Sequence, residues 1–334
     1  MSPEGGNPLG VAIVGCGLVG RKRAHALPGG RLVACADLVD QRAASLAGEV
    51  PGAEAVPHWQ DAVTRGDVHV VVVATTNDAL VPVARLALAA GKHVLLEKPA
   101  GRTAAEAEPL VALAAESRAL VRVGFNHRFH PAIRQAREIV DGGGLGPLMF
   151  VRGRYGHGAR LGYEREWRAD PERSGGGELI DQGVHLVDLA AWFLGSFTRV
   201  EGFAATYFWP MPVDDNAFLT LRTTDGRCAF LHVSCTEWKN LFSFEVYGRR
   251  GKLAIDGLGG SYGLERLAFH RMRPEMGPPD TTEWEYPGPD LSWANEFAEF
   301  ADDIRLGRQP TPGLPEALTA LRVVEAIYRT SGFP

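Results

Sequence analysis

Apolar residues in the first third of the chain form short, nearly continuous runs. Amphipathic segments lie between these runs. The runs occupy residues 10–14, 31–36, 68–74, 93–96 and 120–124, with a weaker one at 53–56. They are too uniformly apolar for a sheet with one face in water, so they predict parallel strands covered on both faces. Helical patterns between them, the clearest at residues 79–90 and 104–117, predict a doubly wound sheet with right-handed crossovers.

The pattern changes after residue 125. Apolar and polar positions then alternate in short segments, which predicts a mostly antiparallel, open sheet with half-buried strands. The predicted strands are residues 148–155, 199–207, 217–223, 228–235, 242–247 and 252–255, and helical patterns at 292–306 and 315–330 end the chain. We therefore predict an α/β protein with domains at residues 1–125 and 126–334, in which the last helices can pack back on the first domain.

Composition narrows the class of protein. A length of 334 residues accommodates two domains, and a net charge of -5 gives no basic surface for nucleic acid or a membrane, so neither partner is expected. No apolar run has the length of a membrane span, and the polar residues 1–8 predict a frayed tail rather than a signal peptide. Four cysteines without metal-ligand spacing predict reduced thiols in a cytoplasmic protein and no metal site.

Three glycines follow the first apolar run, in the spacing Gly15-x-Gly17-x-x-Gly20. This spacing suits a tight turn, close approach of the backbone to a ligand, and close packing of the next helix on the strand. A diphosphate is favoured at the start of that helix. Asp37 follows the second strand, where a carboxylate accepts hydrogen bonds from the adenosine ribose and repels a 2′-phosphate, so NAD is expected rather than NADP. A turn aspartate that begins a helix is the alternative for Asp37.

Polar side chains also follow two other predicted strands at the carboxyl edge of this sheet, where ligands bind in such folds. Thr75 and Asn77 follow one strand, and the triplet Glu97-Lys98-Pro99 follows the next. Lysine is scarce in this chain, with five residues against thirty arginines, so a lysine at a strand end is a candidate for chemistry.

The second half contains one segment with candidate acid–base chemistry, beginning at the glycine run 175–177. Asp181 and His185 are four residues apart, which places both on one face of a helix, with Asp188 a further turn along. A carboxylate beside an imidazole orients the ring and suits it to proton transfer near neutral pH. A capping acid with a satisfied core histidine is the alternative, and a metal site would have two ligands only.

The glycine spacing, the Glu-Lys-Pro triplet at 97–99 and the segments 126–131 and 175–188 resemble the glucose–fructose oxidoreductase, inositol dehydrogenase and rhizopine catabolism (Gfo/Idh/MocA) family. The resemblance spans nearly the whole chain. It implies an NAD-binding Rossmann domain at residues 1–125, a substrate and oligomerisation domain at 126–334, and hydride transfer between the nicotinamide and a secondary hydroxyl or ketone.

By that resemblance, Lys98 lies near the nicotinamide and polarises the reacting oxygen, while His185, oriented by Asp181, is the general acid or base. Some members of the family place a tyrosine in the catalytic role, so the division of labour between Asp181 and His185 stays open. The implied cofactor contacts are Gly15, Gly17, Leu18, Val19, Gly20, Asp37, Thr75, Asn77, Glu97, Lys98 and Asn126.

The expected substrate is a sugar, sugar nucleotide, cyclitol or aminoglycoside-type glycoside. Aromatic faces stack on sugar rings, and cations bind phosphate or carboxylate. The candidate contacts are Arg128, Tyr155, Tyr163, Trp167, Arg168 and Lys239, with core or subunit-interface packing as the alternative. Two other functions stay open: elimination or hydrolysis through transient oxidation, and a non-catalytic dinucleotide sensor. A partly apolar sheet face predicts a homodimer or homotetramer.

Overall fold

The computed structural model of the chain describes residues 7–333, so the first six residues of the tail predicted at 1–8 lie outside the described residues. The chain divides into two compact units. The first unit consists of Met1–Gly124 and Trp293–Leu318, and the second consists of Phe125–Ser292 and Thr319–Pro334. The division after Gly124 lies one residue before the predicted domain boundary at 125/126. The segment Trp293–Leu318, which was predicted in the second domain, belongs to the first unit.

The regular elements have the following bounds. The strands are β1 (Leu9–Val14), β2 (Gly30–Ala36), β3 (Glu54–Ala55), β4 (Val70–Val73), β5 (His93–Glu97), β6 (Val121–Gly124), β7 (Leu148–Gly156), β8 (Phe197–Ala205), β9 (Asn216–Thr223), β10 (Cys228–Ser234), β11 (Leu241–Gly248), β12 (Gly251–Asp256), β13 (Glu265–Arg271) and β14 (Asp280–Tyr286). The helices are α1 (Leu18–Ala24), α2 (Asp40–Glu49), α3 (Trp59–Thr64), α4 (Asn77–Ala89), α5 (Ala104–Ala107), α6 (Pro109–Ser117), α7 (Pro131–Asp141), α8 (Pro171–Ser174), α9 (Val184–Leu194), α10 (Ser292–Leu306) and α11 (Leu314–Ser331).

The first unit contains a six-stranded parallel sheet in the order β3-β2-β1-β4-β5-β6. All four residues of β4 are fully buried, as a central strand covered on both faces requires. The predicted doubly wound parallel sheet is therefore confirmed. The helical pattern at 104–117 forms two helices rather than one, because Pro109 has no N–H to continue the first helix and instead begins α6.

The second unit contains an eight-stranded sheet in the order β14-β13-β12-β11-β7-β10-β9-β8. Every neighbouring pair is antiparallel except β7 and β10, which run parallel, so the predicted mostly antiparallel sheet is also confirmed. The two strands β13 and β14 were not predicted. The strand β14, at one edge of the sheet, has no buried residue, so its sequence lacks the apolar alternation that identified β7 to β12.

One face of this sheet packs on α7 and α9, and the other carries exposed aromatic side chains. Phe150, Phe203 and Phe230 point away from the helices and are between about two-fifths and one-half exposed, as the register of β7 to β10 requires. The four cysteines are not in disulfides. Within residues 7–333, no helix is both long enough and apolar enough to cross a bilayer.

Candidate functional site: the glycine loop, the strand ends and the buried acid–histidine segment

The three glycines of the first unit are required for different reasons. Gly15 has a φ of +96°, and a Cβ there would lie 2.3 Å from the carbonyl oxygen of Ala74. A Cβ on Gly20 would lie 1.9 Å from the carbonyl oxygen of Gly15. Gly17 has no neighbouring heavy atom within 4 Å of that position, so its missing side chain leaves open space beside Leu18, which is exposed. Two glycines close the turn, and the third provides room for a diphosphate.

Asp37 is anchored to this loop by its own side chain. Its Oδ2 accepts a hydrogen bond from the backbone N–H of Cys16 at 2.7 Å, and its Oδ1 accepts one from that of Val39 at 2.8 Å. Each carboxylate oxygen can accept a further hydrogen bond. The negative charge is thus held beside the glycine loop at the carboxyl end of β2, where it fits a ribose better than a 2′-phosphate.

Two other predicted cofactor residues lie at the end of β4. Thr75 is half-buried, and its hydroxyl donates to the backbone oxygen of Thr76 at 3.1 Å. Asn77 is buried and is the first residue of α4. Both lie at the carboxyl edge of the parallel sheet, as does the glycine loop.

Glu97 is buried in an ion-pair cluster at the end of β5. The Nε of Arg23 in α1 donates to Glu97 Oε1 at 2.7 Å, and the Nη1 of Arg23 donates to Glu296 Oε2 at 2.5 Å. Arg23 and Glu296 are completely buried, and burial raises the pKa of the Glu296 carboxyl to about 7. Lys98, the next residue after Glu97, is half-buried. The sequence did not identify Arg23, because on a short basic helix it is indistinguishable from a surface cation.

In the second unit, a buried carboxylate shapes the glycine run that precedes the acid–histidine segment. Asp214 accepts hydrogen bonds from the N–H groups of Gly177 and Leu179, at 2.9 and 2.8 Å, and from the Tyr328 hydroxyl at 2.6 Å. A Cβ on Gly177 would lie 1.9 Å from the Asp214 carbonyl oxygen. Burial raises the pKa of Asp214 to about 6. Neither Asp214 nor Tyr328 was predicted, because the sequence has no pattern linking them to the glycines.

The acid–histidine segment is not a regular α-helix throughout, which corrects the predicted geometry. Residues Leu179–Gly183 form a π-helical turn that leads into α9. Asp181 lies within the wider turn and His185 in the second position of α9, and both are buried. Such π turns frequently occur at functional sites.

The Asp181 carboxylate forms an ion pair with Arg168. The Arg168 Nε donates to Asp181 Oδ2 at 2.8 Å, and the guanidinium lies over the Trp167 ring at 4.6 Å from its centroid. The negative charge of Asp181 raises the pKa of Arg168. The structure thus brings together two predicted substrate residues and one predicted catalytic residue.

The His185 ring is enclosed by other rings. It stacks on the His127 ring with centroids 3.8 Å apart and an interplanar angle of 24°, while Phe125 and Tyr155 present edges at 5.9 and 6.3 Å. Burial raises the pKa of Tyr155 well above its usual value. His127 was not predicted as a site residue, since ring stacking between distant residues has no local pattern.

Three other residues predicted to contact the substrate or the cofactor interact with neighbouring side chains of the protein. Arg128 is buried, and its Nε and Nη2 donate to the Asp188 carboxylate at 2.8 and 2.6 Å, so its guanidinium is engaged in an ion pair within the protein. Asn126 Nδ2 donates to the Ser292 hydroxyl at 2.9 Å. Tyr163 packs with a buried apolar cluster that includes Trp209, so core packing accounts for it.

Lys239 is exposed in the loop between β10 and β11, next to Trp238. Within residues 7–333, no three His, Cys, Asp or Glu side chains are grouped closely enough to hold a metal ion.

Comparisons with known proteins identify the family. Residues 9–125 match the model described as the oxidoreductase family, NAD-binding Rossmann fold, and residues 133–254 match the GFO/IDH/MocA C-terminal domain, together well over half of the chain. Levoglucosan dehydrogenase of Pseudarthrobacter phenanthrenivorans is 25% identical over 74% of this chain and 73% of its own length. An inositol 2-dehydrogenase of Rubrobacter xylanophilus is 29% identical over 76% of this chain and 73% of its own length.

A solved structure gives the same fold. Levoglucosan dehydrogenase in complex with NADH and levoglucosan superposes with a TM-score of 0.86, at 23% identity, over 97% of each chain. The fold agrees over nearly the full length, and the open glycine loop fits the dinucleotide that the family model names. The chain is therefore an NAD-dependent dehydrogenase and belongs to the Gfo/Idh/MocA oxidoreductase family.

Proposed function

We propose that this dehydrogenase oxidises a secondary hydroxyl of a sugar, sugar nucleotide, cyclitol or aminoglycoside-type glycoside, or reduces the corresponding ketone. The observation that supports this most strongly is the buried His185 ring. It stacks on the imidazole of His127, and it follows Asp181, which forms an ion pair with Arg168, in the same segment. Relatives of the chain include proteins named for levoglucosan and for inositol, two cyclic polyhydroxy compounds.

In the proposed reaction, His185 takes the proton of the reacting hydroxyl in the oxidative direction and returns it in the reductive one. A nicotinamide, when bound, supplies the carbon that accepts or donates the hydride. A positioned general base of this kind contributes about 10²–10⁴-fold to the rate. The rings packed against the buried His185 restrict the plane of the imidazole, so the base needs little rearrangement before it acts.

Lys98 stabilises the negative charge that develops on the substrate oxygen as its proton leaves. An ammonium group is suited to this role because its charge acts most strongly where water is excluded. We assign the role to Lys98 because it occupies the Glu-Lys-Pro triplet and is half-buried at a strand end.

Asp181 is assigned an orienting role rather than that of the proton acceptor. Its carboxylate already accepts a hydrogen bond from Arg168, and this cation favours the ionised, non-donating form of the acid. An ionised Asp181 can hold an imidazole and favour its protonated form without itself being consumed in the reaction.

For the substrate we propose contacts with Tyr155, Trp167, Arg168 and the exposed Lys239. The Trp167 ring already carries the Arg168 guanidinium on one face, so the aromatic surface and the positive charge are presented together. Such a combination suits a polyhydroxy ring that carries an anionic group.

We also propose that the chain forms a homodimer or homotetramer through the exposed face of the eight-stranded sheet. Phe150, Phe203 and Phe230 share this face, and exposed large apolar side chains grouped on one face favour association. The cytoplasmic location stays a prediction of the sequence.

The proposed function is tested by incubating the protein with NAD and a panel of inositols, anhydrosugars, sugar nucleotides and aminoglycosides, while NADH absorbance is followed. Net release of NADH with one class of compound supports the proposal. Conversion of a glycoside with tightly held cofactor and no net NADH would instead indicate transient oxidation. Cofactor binding without conversion of any compound would indicate a sensor.

A further inference from the structure

We propose that Arg23 is a positioning residue for Lys98: through Glu97 it ties the helix of the glycine loop to the strand end that presents the lysine. The inference rests on the function proposed for Lys98 and concerns residues of the first unit only. Arg23 itself is not a catalytic residue, because its side chain is completely enclosed by protein.

The side chain of Arg23 and its two carboxylate partners, Glu97 and Glu296, form a cluster that we call the clamp. The Nε and Nη2 of Arg23 both approach Glu97 Oε1, at 2.7 and 2.6 Å, and its Nη1 donates to Glu296 Oε2 at 2.5 Å. The planar guanidinium also lies 4.4 Å from the centroid of the Trp293 ring. With its plane against a ring and its edges on two carboxylates, this side chain has no alternative rotamer available without breaking charged hydrogen bonds.

A glycine on the neighbouring strand makes room for the clamp. Gly124 ends β6, which pairs with β5 directly beside Glu97. A Cβ on Gly124 would lie 2.8 Å from Arg23 Nη2 and 2.9 Å from Glu97 Oε2. The arginine and the carboxylate therefore lie across the end of the sheet in a space that only glycine leaves open.

The position of the clamp links two parts of the dinucleotide-binding unit. Arg23 belongs to α1, the helix that begins directly after Gly17. Glu97 is the last residue of β5, and Lys98 follows it without an intervening residue. If the Glu97 side chain is released, the end of β5 loses its anchor to α1, and the ammonium of Lys98 shifts with it. A displacement of about 1 Å in a catalytic group can cost about 10²-fold in rate.

A second buried arginine of the same unit provides a matched control. Arg122 in β6 is also completely buried, and its Nη2 lies 2.6 Å from Asp303 Oδ2 and 3.1 Å from Glu299 Oε1. Its guanidinium also donates to the Thr311 carbonyl oxygen. Arg122 thus resembles Arg23 in burial and pairing, but its partners lie in α10 and the following loop rather than next to Lys98.

The test compares Arg23→Gln with Arg122→Gln in the full chain. For each variant we would measure the thermal midpoint, the affinity for NADH by fluorescence, kcat and KM, and the NMR signals of the lysines after ¹³C reductive methylation. The chain has only five lysines, so these spectra are simple, and Lys98→Arg assigns the relevant signal.

We expect both variants to be less stable than the wild type. Arg23→Gln should lower kcat by about 10²-fold with a much smaller change in KM and should shift the Lys98 signal. Arg122→Gln should keep the wild-type kcat and leave the Lys98 signal in place. Equal losses of kcat in the two variants, or an unchanged Lys98 signal in Arg23→Gln, would overturn the inference.

If Arg23→Gln does not fold, Glu97→Gln tests the same link from the other side and should also shift the Lys98 signal; an unchanged signal would overturn the inference. The NMR readout separates this inference from the proposed function. A wild type that oxidises no substrate would refute the proposed function, whereas the Lys98 signal would still report whether Arg23 positions the lysine.

Discussion

The imidazole rings of His127 and His185 lie almost parallel, with their centroids 3.8 Å apart, in the interior of the second unit. His127 belongs to a short 3₁₀ segment, Asn126–Phe129, and His185 to the second position of α9. The stack fixes the plane of the proposed base. It also places an aromatic face beside the cation that forms when His185 accepts a proton.

From this stack we expect His127→Ala to lower kcat/KM by about tenfold, because both the orientation and the aromatic face are lost. His127→Phe should retain most of the wild-type value, since it keeps a flat ring in the same place. Steady-state kinetics of the two variants, with circular dichroism to check folding, provide the measurement. If His127→Ala is as active as the wild type, or if His127→Phe is no better than His127→Ala, the stack has no functional role.

The Asp37 carboxylate predicts how the protein discriminates between cofactors. In Asp37→Asn, the side-chain oxygen still accepts one backbone hydrogen bond, but the charge that repels a 2′-phosphate is gone. We expect the ratio of kcat/KM for NAD to that for NADP to fall by at least about tenfold. Asp40→Asn, at the exposed start of α2, is the control and should leave the ratio unchanged. An unchanged ratio in Asp37→Asn would show that other residues set the preference.

Glu296 predicts a pH dependence of folding stability. Burial raises the pKa of its carboxyl from 4.5 to about 7, so between these values the folded state binds a proton that the unfolded state has released. The stability contributed by this group is present below pH 4.5 and is lost as the pH rises towards about 7.

Glu296→Gln should therefore remove a slope of up to about 1.4 kcal/mol per pH unit from the free energy of unfolding over that range. Urea unfolding of wild type and variant at several pH values measures the difference. Parallel curves for the two proteins would contradict the assignment.

The exposed aromatic face of the second sheet predicts that assembly is sensitive to a single charge. Phe230 is about half exposed, so Phe230→Asp should not disturb the core but should convert an oligomer into a monomer. Size-exclusion chromatography with light scattering measures the mass. Met272→Asp, at an exposed position beyond β13, is the control and should keep the wild-type mass. An unchanged mass in Phe230→Asp would place the interface elsewhere.

Local sequence patterns were sufficient for much of the fold. The helix predicted at residues 292–306 has those bounds in the structure, because a serine starts an apolar repeat of helical period. The buried strand β4 was predicted from an unbroken β-branched run. By contrast, β14 was missed because an edge strand without buried residues lacks the pattern on which such predictions depend.

The site was predicted less completely, for a different physical reason. Asp181 and His185 are close in sequence, so their spacing alone suggested a pair. Arg23 and Glu97 are 74 residues apart, and their ion pair exists only because the parallel sheet brings α1 and β5 to the same edge. The π-helical turn at Leu179–Gly183 likewise depends on tertiary contacts such as those of Asp214, which no local repeat encodes.

We propose that, during oxidation of a carbohydrate-like substrate, Lys98 stabilises the charge on the reacting oxygen and His185 takes its proton. The most direct test is NADH formation by wild type, Lys98→Met, His185→Ala and Lys92→Met with the best compound of the panel, together with NADH affinity by fluorescence. Lys92 is the matched control, because its ammonium donates to the carbonyl oxygens of Arg65 and Val68 and serves the fold. We predict that Lys98→Met and His185→Ala lose at least about 10²-fold in kcat while still binding NADH, and that Lys92→Met keeps its turnover. Near wild-type turnover in Lys98→Met or His185→Ala would contradict the account.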